Sequence, residues 1–329
     1  VEEIHIGHPA VKKIVPGTCA YVPTGGMIPE GADAMVMVEY CEMFDEKHVA
    51  VCSAAPFGSY VVDMGEDAGE GELLLKRGTR IGPAEAGVLA AAGAERVPVF
   101  VPWRVTILCT GDELVPVGRN PLPGQVRDIN TWALQAYVRD SGMKTVKAAA
   151  LVDDEELLEA EVRSALADSD LVLISGGSSQ GKKDKTNDIL DKVSHGGVFT
   201  HGLALKPGKP TILGCESESR TLLAGLPGHP VAALTVFQLL IVWLWREKTG
   251  QTEPVRTVAR MKTNLASAPG KTTCLLVRLD WDGNGYVAEP ILGKSGLITT
   301  MAQADGYVMV DMNREGLKKD EIVPVYRFS

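Results

Sequence analysis

The feature that most constrains this chain is a run of alternating elements between Trp103 and Gly250. Val105–Cys109, Thr145–Val152, Leu171–Ile174 and Thr221–Ala224 read as apolar strands. Thr131–Asp140, Glu155–Ala167 and Thr186–Val193 carry apolar residues at helical spacing, and Val231–Glu247 closes the run as a long helix. Strands apolar on both faces, with helices between them, predict a doubly wound parallel sheet. Such sheets bind ligands at the carboxyl ends of their strands.

The flanks have a different texture. From Val1 to Gly65, short apolar pieces such as Ala34–Val38 alternate with turns at Pro16-Gly17, Thr24-Gly25-Gly26 and Pro29-Glu30-Gly31, predicting strands and turns. Pro83–Gly93 reads as a helix with Pro in its first turn and Gly at its end. From Gln251 to Ser329, the alternation of Leu275–Asp280, the turn at Asp282–Gly285 and the run Tyr307–Asp311 predict a small all-β domain.

A net charge of −9 argues against a nucleic-acid surface, so an anionic ligand needs a local basic cluster. The six cysteines have neither Cys-x-x-Cys nor zinc-ligand spacing, which points to a reducing cytoplasm rather than a disulfide framework. Val231–Trp245, the most apolar stretch, is short for a membrane span and reads as a buried helix. The chain opens on Val1 without Met, so a preceding segment is expected.

Ser175-Gly176-Gly177-Ser178-Ser179-Gln180-Gly181 follows the third strand. Its glycines let backbone N–H groups converge on a phosphate, the alternative being a plain connecting loop. Neither a Walker loop nor a dinucleotide fingerprint fits it. In Lys206-Pro207-Gly208-Lys209-Pro210, Pro and Gly suit a type II turn, which brings its first and fourth residues within about 7 Å. Two lysines that close repel by about 1 kcal/mol or more unless an anion lies between them. Pro227-Gly228-His229-Pro230 opens the long helix and offers free N–H groups or simply a helix start; His229 is a proton donor or a structural residue. Glu113, Asp128, Asp153 and Asp184 lie near strand ends, where hard carboxylates suit Mg²⁺. Each also reads as a cap or turn residue: Asp153 with Glu156 as a capping box, and Asn130 as an N-cap.

Together these runs resemble the MoeA family of molybdenum-cofactor synthesis proteins, which includes the gephyrin E domain. The matching runs are Thr24–Asp33, Gly65–Asp67, Thr110–Leu114, Asp128–Asn130, Ser175–Gly177, Asp184, Lys206–Pro210, Leu226–Pro230 and Ser295-Gly296. The family's N-terminal Asp-x-Ser-x-x-Asp-Gly-Tyr-Ala run is absent, and His229 stands where the family usually has Asn. The resemblance implies an α/β and β multidomain protein: an inserted β domain over 1–65, part of an elongated dimerisation domain over 66–102, a molybdopterin-binding α/β domain over 103–250, and a C-terminal β domain over 251–329. It implies insertion of molybdate into adenylylated molybdopterin, with Mg²⁺-dependent release of AMP, by a cytoplasmic homodimer.

The implied catalytic residues are Asp184, Glu113, Asp153 and Asp67, with Asp184 and Glu113 also holding the metal. Substrate and oxyanion would meet Thr24, Ser175, Gly176, Gly177, Ser178, Lys206, Lys209, Pro227, Gly228, Arg278 and Ser295. The adenylyltransferase of the preceding step is an implied partner. It is also one alternative identity, beside a tungstate-inserting paralogue and a non-catalytic pterin-binding scaffold.

Overall fold

In the computed structural model, which describes residues 2–176, 185–267 and 269–328, the alternating run forms one six-stranded sheet. Gly177, Ser178 and Asp184 of the expected site lie outside the described residues. The chain divides into two compact units, Val1–Lys76 and Arg77–Ser329.

Within the second unit, after a helix at Pro83–Ala91, this sheet and its helices run β1 (Arg104–Thr110), α1 (Asn130–Asp140), β2 (Lys144–Leu151), α2 (Glu155–Asp168), β3 (Leu171–Ser175) and α3 (Lys185–Val193). They continue with β4 (Val198–His201), β5 (Ile212–Glu216), β6 (Thr221–Leu226) and a helix from Pro230 to Thr249, α4, whose middle turn Phe237–Ile241 is π-helical. The strand order is β4-β5-β6-β3-β1-β2. Successive side chains of β3 enter opposite layers. Leu171 and Leu173 pack with Leu134, Phe237 and Trp245, whereas Val172 and Ile174 pack with Val162, Ile189 and Leu190. Each fully buried Leu or Ile contributes roughly 1.5–3 kcal/mol, so this two-sided burial fixes the sheet.

One strand departs from the parallel expectation. β5 runs antiparallel to both neighbours, with Ile212 opposite Gly225 and Glu216 opposite Thr221. Only four residues separate β5 from β6, too few for the crossover that a parallel pair needs. Arg220, in the left-handed region at φ 59°, closes the hairpin.

α4 is longer than the expected helix. At 20 residues, with an 18-residue stretch of mean hydropathy 1.3, it has the length and composition to cross a membrane. Val231, Ala233, Leu234, Phe237, Ile241 and Trp245 are instead buried in the core beside the sheet.

The C-terminal strands β7 (Thr257–Met261), β8 (Thr272–Trp281), β9 (Tyr286–Pro290), β10 (Gly306–Val310) and β11 (Ile322–Arg327) pair in the order β8-β9-β7-β11-β10, and β10 pairs back to β8. The sheet therefore closes into a five-stranded barrel, filled by Met261, Val277, Ala288, Val308 and Val325. In the Val1–Lys76 unit, Glu2–Glu3 pairs with Ala20–Tyr21 and Cys41–Met43 with Val49–Val51. Ala34–Val38 is not a strand. It lies in irregular chain that ends in the 3₁₀ turn Val38–Tyr40, with no ladder partner to hold it extended.

Candidate active site

The antiparallel course of β5 has a local consequence. Its amino end, pairing with the carboxyl end of β6, carries the Lys206–Pro210 turn to the same sheet edge as the loops after β1, β3 and β6. That turn is not type II, because the Lys206–Pro207 peptide is cis and Gly208 has φ 125°. Its backbone is fixed from both sides. Leu203 N–H donates to the Lys209 carbonyl at 2.8 Å, and Thr211 Oγ1 donates to the Gly208 carbonyl at 2.7 Å. Gly208 is buried against Val236 of α4 and Leu205, where a Cβ would come within 2.7 Å of a Val236 methyl. Lys206 and Lys209 are exposed and have no ion-pair partner among the described residues.

Leu205–Lys206 also adds a short parallel strand to the barrel, with Lys206 level with Thr273 of β8. Lys271, the residue before β8, therefore adjoins the segment that leads into the lysine turn, where the Thr272 N–H donates to the Ala204 carbonyl at 2.9 Å. Sequence reading missed this third cation, because only the pairing of two distant segments reveals it. Arg278 lies five residues beyond Thr273 on β8, about 17 Å along the strand. It faces Glu289 across the ladder, whose carboxylate pairs with Lys262 at 2.9 Å. β8 thus begins at the segment that leads into the lysine turn and carries Arg278 farther along the strand.

At the centre of the edge is a buried network. Asn130 Nδ2 donates to Ser175 Oγ and to the Gly228 carbonyl, both at 2.8 Å, and Ser175 Oγ donates to the Pro227 carbonyl at 3.2 Å. Ser175 and Pro227 are buried, and Gly228 is exposed at the rim. Gly176, at φ 123°, passes so close to β1 that a Cβ would run into the Thr110 carbonyl and stand 2.7 Å from Thr110 Oγ1. A Cβ on Gly228 would lie 3.7 Å from Gly176 Cα, so two of the expected contacts border each other. The expected cap is corrected here: Asn130 is the first helical residue, and Asp128 Oδ1 accepts the Thr131 N–H at 3.1 Å. Asn130 is thereby released to tie α1, β3 and the start of α4 together.

Asp153 is likewise not the cap of α2. Asp154 Oδ1 accepts the Leu157 N–H at 2.9 Å, and the backbone N–H of Asp153, an exposed residue, donates to Asp112 Oδ1 at 3.0 Å. Glu113 is exposed and folds over Gly111, where a Cβ would sit 2.7 Å from its Oε2. Its carboxylate has no hydrogen-bond or ion-pair partner among the described residues, which leaves hard oxygens available to a cation. Ser295 Oγ lies 2.8 Å from His229 Nδ1, and its carbonyl accepts the Val231 N–H at 3.0 Å, so the loop after β9 is clamped to the first turn of α4. Thr24 and Asp67 are exposed residues of the Val1–Lys76 unit.

A second cluster, His195, Glu216 and Glu218, brings its ligand atoms within 4.8 Å of one another. Glu216 is buried and already accepts N–H groups of His195 at 2.7 Å and Glu218 at 3.0 Å. These bonds hold its carboxyl below the ordinary value, as a clamp between the segment after α3 and the β5–β6 turn. Burial pushes the Cys109 thiol up to about 12, which makes it an inert core residue.

Three family models match the chain in order: "MoeA N-terminal region (domain I and II)" over residues 1–93, "Probable molybdopterin binding domain" over 106–246, and "MoeA C-terminal region (domain IV)" over 258–328. Molybdopterin molybdenumtransferase 1 of Mycobacterium tuberculosis is 30% identical over 330 residues, spanning 98% of this chain and 77% of the relative. The molybdopterin molybdenumtransferase of Bacillus subtilis is 30% identical over 333 residues, spanning 98% and 76%. Two solved molybdopterin biosynthesis MoeA proteins of Pyrococcus horikoshii superpose with TM-scores of 0.79 and 0.80, at 34% and 25% identity. Each covers the whole chain and 80% of the solved one.

Proposed function

Because this chain belongs to the MoeA family of molybdopterin biosynthesis proteins, we propose that it is a molybdopterin molybdenumtransferase, inserting molybdate into adenylylated molybdopterin and releasing AMP. The observation that carries this reading is the convergence, on one sheet edge, of an exposed lysine turn with a buried glycine-bordered network. The first suits a small dianion, and the second suits a flat substrate that needs close backbone approach. The N- and C-terminal MoeA regions distinguish the chain from an adenylyltransferase built on the α/β domain alone.

In this reading Lys206 and Lys209, with Lys271 adjoining the segment that leads into their turn, hold molybdate by charge. Ser175, Gly176, Gly177, Ser178, Pro227 and Gly228 shape the pterin cleft, and Ser295 and Arg278 contribute from the barrel. The other subunit of the homodimer supplies Asp67 and Thr24. Glu113 and Asp184 would hold Mg²⁺, which when bound neutralises charge on the pyrophosphate. The exposed Glu113 carboxylate, without a hydrogen-bond or ion-pair partner among the described residues, fits that role. Asp153, freed from capping, supplies a further acidic group. The enzyme acts as a homodimer in the cytoplasm and takes its substrate from the adenylyltransferase of the preceding step.

Purified protein should release AMP from adenylylated molybdopterin only when molybdate and Mg²⁺ are both present. A folded protein that releases none ends this assignment. Competition between molybdate and tungstate in the same assay decides which oxyanion is preferred, since charge alone favours neither.

A further inference from the structure

Asn130 has more hydrogen-bonding capacity than the fold uses. Both Nδ2 hydrogens are donated, to Ser175 Oγ and the Gly228 carbonyl. Its Oδ1 is buried, the residue being 8% exposed, and has no hydrogen-bond partner among the described residues. Thr110 Oγ1, across the Ser175-Gly176 turn, is in the same condition. Buried amide oxygens are nearly always satisfied in folded proteins, so an orphan at the carboxyl edge of the sheet, where such folds bind ligands, marks where a partner belongs.

The polarity of the orphan selects that partner. An oxygen lone pair needs a hydrogen to accept, and phosphate and molybdate oxygens have none to give. Asp128, only 6% exposed, already places its carboxylate on the Thr131 N–H at the start of α1, so an anion brought here would meet a buried negative charge. A neutral heterocycle edge bearing an amino group meets neither objection. We infer that Asn130 receives the 2-amino edge of the pterin ring through Oδ1. The substrate then lies with its ring against α1 and its anionic end toward Lys206 and Lys209. This inference rests on the pterin-substrate reading above.

The test compares pterin-6-carboxylate with lumazine-6-carboxylate, which carries a carbonyl in place of the 2-amino group, by fluorescence titration of the full chain. Wild type should bind the pterin about tenfold more tightly or better, because the lumazine sets one acceptor against another. Asn130→Ala should bring the ratio to about two or less while lumazine affinity stays within about twofold. Should that variant not fold, Asn130→Ser serves, since it keeps a short hydroxyl on the Ser175 side but withdraws the amide oxygen that would reach the ring. A wild-type ratio retained in either variant, or equal weakening of both ligands, overturns the inference and leaves Asn130 a structural tie. A wild type without preference also overturns it, even if AMP release is intact. Preference without AMP release upholds it and sinks the molybdenumtransferase reading instead.

Discussion

The two halves of the candidate site share one sheet edge but are built on opposite principles. Around Asn130 the groups are buried, hydrogen-bonded and set by backbone contact: Asn130 and Ser175 are 8% and 2% exposed. At Lys206–Pro210 only the backbone is fixed, and the cationic ends stand in solvent without ion-pair partners among the described residues. A buried network works by shape and donor polarity and is intolerant of change, because each lost partner leaves a desolvated group behind. An exposed cationic turn works by charge. It tolerates change structurally but answers to ionic strength.

The largest expected effect sharpens this contrast. Gly176→Ala needs a left-handed backbone conformation and sets a methyl against the Thr110 carbonyl, so it should cost about 3 kcal/mol or more of stability in urea unfolding. An unchanged midpoint would mean that the turn relaxes freely. Lys206→Ala should do the reverse: about a 100-fold loss of AMP release, with the unfolding temperature unmoved. If the variant unfolds early instead, the turn is structural and the comparison breaks. Raising salt from about 50 to 500 mM should weaken molybdate binding several-fold and pterin-6-carboxylate binding by less than about twofold. Equal salt dependence would merge the two halves into one electrostatic site.

The smallest effect lies away from both halves, at Glu216. Its folded carboxyl is held below the ordinary 4.5 by the Glu218 and His195 backbone N–H groups, against the opposing pull of burial. The stability it contributes is therefore complete above pH 4.5 and is lost as pH falls through the lower folded value. Glu216→Gln should flatten that acid limb of the unfolding-temperature profile and leave turnover at neutral pH unchanged. A change in turnover would tie the clamp to the site.

Much of the fold was legible because periodicity is local. The runs later seen as β1, β2, β3 and β6, and the helices between them, need only a few residues of pattern to declare themselves. Caps were less legible. Asp153 and Asn130 occupy plausible capping positions, yet Asp154 and Asp128 take the N–H groups, a choice of one or two residues that depends on the angle at which the chain approaches the helix. Lys271 carried no signal at all, since the lysine turn is far earlier in the chain and adjoins it only because Leu205–Lys206 pairs with the start of β8.

The sequence by itself therefore determined which residue types this protein brings to its chemistry: the serine–glycine turn, the lysine pair, the acidic groups at strand ends and the elements that carry them. Only the tertiary structure decided which of them meet. The antiparallel course of β5 turns the lysine pair toward the carboxyl edge, and the pairing with β8 brings Lys271 to the segment that leads into it. The free capacity of Asn130 becomes visible only once its two partners are in place. Composition and spacing act along the chain, whereas hydrogen-bond satisfaction and strand direction are settled between segments distant in sequence, so no local pattern could have announced them.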